Sequence, residues 1–240
     1  MAILEPNSVV PLYAQVRELI RQDIIGGGLK PRQKLPTESE FVARYGVSII
    51  TIRRAINELV KEGLVEKKQG KGIFVSAPKY QKTFSNRGMS FSETCAANGI
   101  KAGAKVIAAD MQIPDRESRE LLRLGDNDSV VRILRLRFAN DIPCVVEDNY
   151  FPAEFSWLLS KDLENDSLYR ILREEKGIEI MRGPLTLRIV RADKNTADLL
   201  NVARNTPLLR MIGVNYQPNG EVLHTCVQIG YGEDFDFIVR

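Results

Sequence analysis

The chain has 240 residues, 44% of them hydrophobic and 27% charged, with a formal net charge of +3. That composition fits a folded chain of one large or two small domains and excludes global disorder. One histidine, His224, and three scattered cysteines, Cys95, Cys144 and Cys226, exclude a histidine-rich metal site and a close-spaced cysteine zinc site.

A first helix is signalled by Pro11 and by apolar residues at helical spacing, Leu12, Val16, Leu19, Ile20 and Ile24. Gly26-Gly27-Gly28 stops it. A second helix opens at the capping box Thr37-Glu38-Ser39-Glu40, buries Phe41, Val42 and Tyr45, and ends at Gly46. Only Val47 separates Gly46 from Ser48, an N-cap for a third helix. That helix turns Ile52, Ala55, Ile56, Leu59 and Val60 inward, and Ile49, Ile50, Arg53, Arg54, Asn57 and Lys61 outward. Past Gly63, residues 64–68 and 73–75 flank Gln69-Gly70-Lys71-Gly72 and predict a β-hairpin with a basic tip.

Residues 77–86 are polar, with few apolar anchors, and read as a linker. Beyond them long strands mix with short helices. Ser90-Phe91-Ser92-Glu93 is a second capping box, opening a helix to about Asn98. A strand over 106–113 leads to a helix from Pro114-Asp115 to Gly125. Residues 129–138 and 143–151 form a hairpin around Asn140-Asp141. Ser167 caps a helix that Gly177 closes; a strand over 178–190, a helix over 194–202 and a strand over 208–216 follow. The turn Pro218-Asn219-Gly220 leads into a last strand over 221–239. The expected division is a helical first domain with a basic hairpin over 8–76, a linker over 77–86 and a mixed strand-and-helix second domain over 87–240.

Two helices joined through a short glycine turn have helix-turn-helix spacing, and a basic hairpin after the second makes a winged version. Residues 1–78 hold 12 Lys+Arg against 8 Asp+Glu, whereas residues 79–240 hold 22 against 23, so the basic excess sits here. The third helix has the division a major-groove reader needs, one face buried and one free. Arg53 and Arg54 can fork onto guanine edges or phosphates, and Lys67, Lys68 and Lys71 place charge on the wing.

Leu35-Pro36-Thr37-Glu38, Tyr45-Gly46-Val47-Ser48, Thr51-Ile52-Arg53, Glu62-Gly63-Leu64 and Gln69-Gly70-Lys71-Gly72-Ile73-Phe74-Val75 resemble the GntR family of bacterial transcription regulators. The resemblance implies a dimer on a short palindromic double-stranded DNA operator. It implies a DNA-facing set of Thr37, Ser48, Ile49, Thr51, Arg53, Arg54, Lys67, Lys68, Gln69, Gly70, Lys71 and Gly72. Ser39 and Ile49 stand where the family usually has DNA-contacting arginines, so those two arginine roles are not carried over. Ile49 and Ile50 are instead apolar groups suited to thymine methyls.

The remainder resembles the HutC branch of that family, with its UTRA effector domain, through Ser90-Phe91-Ser92-Glu93, Arg135-Leu136-Arg137, Glu147, Ser167-Leu168-Tyr169 and Asn219-Gly220-Glu221-Val222. The implied fold is mixed α+β with an antiparallel sheet, chorismate-lyase-like. The residues themselves read as a small-anion pocket. Arg135 and Arg137 share a strand face with Val131 and Ile133 and need a negative partner. Ser167 opens a helix whose first amides favour an anion. The expected effector set is Ser90, Phe91, Ser92, Arg135, Arg137, Glu147, Ser167, Tyr169 and His224. His224 stands where UTRA domains commonly carry a glutamate, and a half-buried strand histidine is its plainer reading. The effector is expected to be a small anionic metabolite, a sugar phosphate among the options.

A three-residue loop over 140–142 would set Arg135 across from Glu147, whereas a two-residue turn at Asn140-Asp141 would put Val146 there. Asn140-Asp141-Ile142 lacks the Asn-Gly signal of a tight turn, so the longer loop is expected.

The expected protein is thus a ligand-responsive, homodimeric DNA-binding regulator, with repression the family tendency and no cofactor. Its alternatives are a chorismate-lyase-like enzyme and an effector-independent DNA-binding protein. The absence of a nucleophile–base pair weighs against the enzyme. With no signal-peptide pattern and no apolar run near ~18 residues, a cytoplasmic location without membrane attachment is expected.

Overall fold

The computed structural model describes residues 4–5, 8–76, 80–83 and 88–238. The chain divides into two compact units, Met1–Pro78 and Lys79–Arg240.

In the first unit, α1 (Leu12–Ile25), α2 (Glu38–Tyr45) and α3 (Ile49–Lys61) bury Val16, Ile20, Phe41, Ile52, Ile56 and Leu59 against one another. Both caps form as the side chains dictate. Thr37 and Glu40 make the two reciprocal bonds of a capping box, and Ser48 accepts from Thr51 N. Gly46 takes φ +66 between α2 and α3, a left-handed turn that glycine makes without a Cβ penalty. Val60, expected inside, is 37% exposed. The inward face of α3 ends at Leu59, because Val60 sits about 100° further round the helix. Strands β1 (Val65–Lys68) and β2 (Gly72–Val75) form the wing, and Lys34 bridges to Phe74 on its free edge.

The second unit is a six-stranded antiparallel sheet, ordered β4-β5-β6-β9-β8-β7. Its strands are β4 (Ala102–Gln112), β5 (Val130–Ala139), β6 (Ile142–Pro152), β7 (Met181–Arg191), β8 (Pro207–Tyr216) and β9 (Val222–Gly230). One face packs Val131, Ile133 and Phe151 against α6 (Leu168–Lys176) and a 3-10 segment, Ala153–Ser160. On the same face, α4 (Phe91–Ala97) sets Phe91 and Cys95 on Ala139 and Val145. The opposite face carries α7 (Lys194–Leu199) over Leu136, Val146 and Leu208, and α5 (Arg116–Leu122) beside Val130 and Tyr150. Two helical layers thus enclose an α+β unit whose sheet is mostly apolar inside but carries buried polar residues, Arg135, Arg137, Glu147, Asn149 and His224 among them.

Several expectations are corrected. Within the stretch read as a linker, Tyr80–Thr83 form a strand, β3, while residues 77–79 and 84–86 lie outside the described residues. Its partner is β10 (Phe235–Ile238), in parallel register from Tyr80↔Phe235 to Thr83↔Ile238. Backbone pairing to a distant segment makes this strand, so its own side-chain pattern did not announce it. The last strand, read as one run over 221–239, is two. β9 stops at Gly230, a 3-10 turn over Gly232–Asp234 intervenes, and β10 leaves the main sheet; Val239 lies outside the described residues. Helix α5 closes at Arg123, left-handed at φ +58, two residues before Gly125.

The β5–β6 hairpin has the two-residue turn, not the expected three-residue loop. Asn140 and Asp141 take φ +48 and +65, and Ala139 pairs with Ile142. Those angles suit a tight I′ turn, which asparagine and aspartate tolerate. The register then shifts by one at Cys144, so Phe138 pairs with Pro143 but Arg137 with Val145 and Arg135 with Glu147. A β-bulge supplies the extra residue that a longer loop would have supplied.

Candidate functional site

On the recognition side of the first unit, α3 presents Ile49 at 39% and Ile50 at 74% exposure. Arg53 is exposed, and its Nε donates to Glu38 Oε2 at 2.7 Å, so α2 positions it. The Arg54 guanidinium lies 3.8 Å from the centre of the Tyr13 ring on α1, which fixes its plane and leaves the edges of its fork available. Asn57 accepts from Lys67 Nζ at 2.7 Å, joining the wing to α3. Lys68 pairs with Glu66 at 2.9 Å and sits over the Phe74 ring. Gln69, Gly70 and Lys71 form the exposed wing tip. Gly72 is constrained by its backbone, since its φ is +117, a conformation that side-chain-bearing residues rarely adopt. Thr37 and Ser48 are exposed and Thr51 half-buried at the helix starts, where their hydroxyls serve as caps and cap partners. Glu38 and Tyr13, the supports of Arg53 and Arg54, were missed in the sequence because they act through tertiary contact.

In the second unit, Arg135, Arg137 and Glu147 are 3%, 2% and 3% exposed. Arg135 Nη2 donates to Glu147 Oε1 at 2.6 Å, and Arg137 Nη1 stands 3.7 Å from the same oxygen. Gln228, directly across from Glu147 on β9, donates to Oε2 at 2.9 Å. Burial alone would raise the Glu147 carboxyl, but the two guanidinium groups and Gln228 outweigh it and hold the pKa at about 2. Burial, with Arg135 beside it, pushes the Arg137 guanidinium below its usual range, against the pull of Glu147. Two buried cations therefore share one anion.

Arg137 also donates to Ser92 Oγ at 2.9 Å and lies over the Phe91 ring at 4.7 Å. Among the described residues, the Nε atoms of both arginines and Nδ2 of Asn149 are buried without a hydrogen-bond partner. These groups line a recess of about 290 Å³ with Ser90, Ser167 and Tyr169. Ser167 stands at the N-cap position of α6, but its side chain makes no capping bond. The first-turn amides of α6 and that hydroxyl are thus not used up on each other. A second recess of about 430 Å³ shares Tyr169, Cys226 and Gln228 with the first. Gln228 and Cys226 were not foreseen, because only the β6–β9 pairing brings them here; Asn149, two residues beyond Glu147 on β6, shares its face by strand alternation and was overlooked.

Of the expected effector residues, His224 does not line the arginine recess. It is fully buried, stacked on Phe151 at 4.5 Å, with Nε2 3.1 Å from the Tyr169 hydroxyl and Nδ1 3.2 Å from Thr225 O. Donation from Nδ1 to the carbonyl leaves Nε2 to accept from Tyr169, so His224 steadies Tyr169 from behind. Burial lowers its pKa to about 4 from 6.5. The neutral ring therefore stabilises the fold above pH 6.5, and that contribution is lost as pH falls toward 4. Between about pH 7 and 5 the second unit should lose about 2 kcal/mol from this group. In urea titrations His224→Gln should abolish this loss, whatever its effect at neutral pH. An unchanged slope would show that His224 is not the group responsible.

A helix-turn-helix with an outward arginine helix and a basic wing defines a DNA-binding protein, and its α+β companion carries the buried cationic recess. The chain belongs to the gntR family of bacterial regulatory proteins, whose pattern matches residues 12–75, and the UTRA domain pattern matches residues 97–236. It is similar to the HTH-type transcriptional repressor NagR of Bacillus subtilis (strain 168), 29% identical over 235 residues, covering 98% of this chain and 96% of that protein. It is also similar to the mannosyl-D-glycerate transport/metabolism system repressor MngR of Escherichia coli (strain K12), 26% identical, covering 95% and 94%. The crystal structure of PhnF from Mycobacterium smegmatis shares the fold, with a TM-score of 0.64 at 24% identity, covering 94% of this chain and 98% of that one. The chain is a DNA-binding transcription regulator, and its relatives NagR and MngR are both named as repressors. Among the described residues no helix is long and apolar enough to cross a membrane.

Proposed function

We propose that the protein is a repressor that binds a palindromic operator as a homodimer and is released by a small anionic metabolite held in the second unit. The observation that carries this reading is the pair of buried guanidinium groups sharing one carboxylate. An anion beside Arg137 balances the surplus charge, meets its unpartnered Nε and reaches Ser92, Ser167 and the start of α6. Glu147 serves as the internal counter-ion of Arg135 and leaves Arg137 as the ligand's partner. Phosphorylated or carboxylated sugars suit this chemistry, and the glycerate in the name of the MngR relative is a carboxylate. On the DNA side, Arg53 reads a base edge, Ile49 and Ile50 pack on thymine methyls, and Arg54 and the wing lysines take phosphates. The domain division is 8–76 for DNA and 87–240 for sensing and dimerisation, with β3 inside the connecting stretch.

Calorimetry against hexose 6-phosphates, sugar acids and the matching neutral sugars tests the anion reading. At least one anion should bind, its neutral counterpart should not, and Arg137→Ala should weaken binding by about 10-fold or more. Equal binding of a neutral sugar, or unchanged affinity in Arg137→Ala, would overturn it.

A further inference from the structure

We propose that Asn98 is a positioning residue that couples the anion recess to strand β3, the first described element beyond the DNA-binding unit. This rests on the anion reading above. Helix α4 spans seven residues, about 10 Å at 1.5 Å per residue. Its first turn belongs to the recess, with Ser92 on Arg137 and Phe91 beneath the guanidinium. Its middle is locked, since Thr94 and Cys95 are buried and Thr94 donates to Ser90 O. Its far end is Asn98, the C-cap.

The Asn98 side chain grips one residue of β3 through both its backbone N–H and its C=O, on a single edge of the strand. Oδ1 accepts from Gln81 N at 3.1 Å, and Nδ2 donates to Gln81 O at 3.2 Å. Nδ2 also donates to Thr94 O at 2.7 Å, tying the amide to its own helix. A side-chain amide here takes the place of a neighbouring strand. In a parallel pair, alternate residues turn their N–H and C=O to opposite sides. β10 holds one edge of β3, and Asn98 closes the other at Gln81. Two strands of four residues are marginal on their own, so this grip adds to what holds β3 in place.

β3 begins at Tyr80, two residues after Pro78, where the first compact unit ends. An anion that engages Arg137 and Ser92 changes the forces on one end of a short, locked helix. Asn98 at the other end passes that change to the backbone from which the DNA-binding unit is tethered. The coupling equals the difference in anion affinity between the two arrangements of β3.

Hydrogen–deuterium exchange on the full chain, with inorganic phosphate as the probe, tests this. In the wild type, saturating phosphate should slow exchange in both α4 and β3. In Asn98→Ala, calorimetry should give a phosphate affinity within about twofold of wild type and α4 protection should remain, while the phosphate-dependent protection of β3 falls about tenfold or more. Asn98→Asp keeps the acceptor for Gln81 N and loses the donor to Gln81 O; it should give an intermediate loss and serves if the alanine variant does not fold. Full β3 protection in both variants, or a wild-type β3 indifferent to phosphate while α4 responds, would overturn the coupling alone. No calorimetric binding and no α4 protection in the wild type would overturn the anion reading, and the coupling with it.

Discussion

Glu147→Ala is expected to destabilise the second unit by about 3–5 kcal/mol, because it leaves two buried guanidinium groups with no counter-ion. The carboxylate stands 2.6 Å from Arg135 and 3.7 Å from Arg137, all three nearly inaccessible to water. The pH dependence gives a second handle. The folded carboxyl titrates at about 2 against an ordinary value of 4.5. Its contribution is therefore complete above pH 4.5 and disappears as pH falls toward 2, a loss of about 3 kcal/mol. Urea denaturation at neutral pH compares wild type with Glu147→Ala, and an acid series reads the loss directly. Phosphate should stabilise Glu147→Ala more than wild type, since it then supplies the only anion between the arginines. A variant within about 1 kcal/mol of wild type would show that the arginines are neutralised some other way.

The helical half of this fold was legible because its signals are local. Thr37 and Glu40, Ser48 and Thr51, and Ser90 and Glu93 form the caps their spacing predicts. The outward placement of Arg53 and Arg54 followed from helical periodicity alone. What stayed hidden depends on pairings between distant strands. No residue near Tyr80 announces that β10, more than 150 positions on, will lie beside it. Gln228 looked like any strand glutamine until β9 paired with β6. The hairpin is the instructive case: the alignment of Arg135 with Glu147 was reached through the wrong loop. Asn140-Asp141 made the tight turn, and a bulge at Cys144, unmarked by glycine, restored the register. Ser167 misled in the opposite way, since a residue of capping type at a cap position makes no capping bond. Such departures from local rules are expected where a site, rather than the fold, sets the requirement.

At the DNA end, Arg53→Ala is expected to cost about 1–3 kcal/mol at an operator selected from random-sequence duplexes, roughly 5–150-fold in affinity. The side chain leaves α3 one turn from its start, and Glu38 engages Nε at 2.7 Å. That contact sets the direction of the guanidinium while its two Nη groups form the fork that meets guanine O6 and N7. With 57% of the side chain exposed, the ion pair adds little to stability, so the variant should unfold at nearly the wild-type temperature. Lys68→Ala makes the contrast. A wing lysine on phosphate weakens all DNA alike and lowers the slope of log affinity against log salt by about one. Fluorescence anisotropy with the operator and a scrambled duplex, each over a salt series, separates the two. Arg53→Ala should compress the ratio of operator to scrambled affinity, and Lys68→Ala should leave that ratio near the wild-type value. If Arg53→Ala keeps the wild-type ratio, α3 does not read bases through Arg53, and the specificity must come from Ile49, Ile50 and the wing.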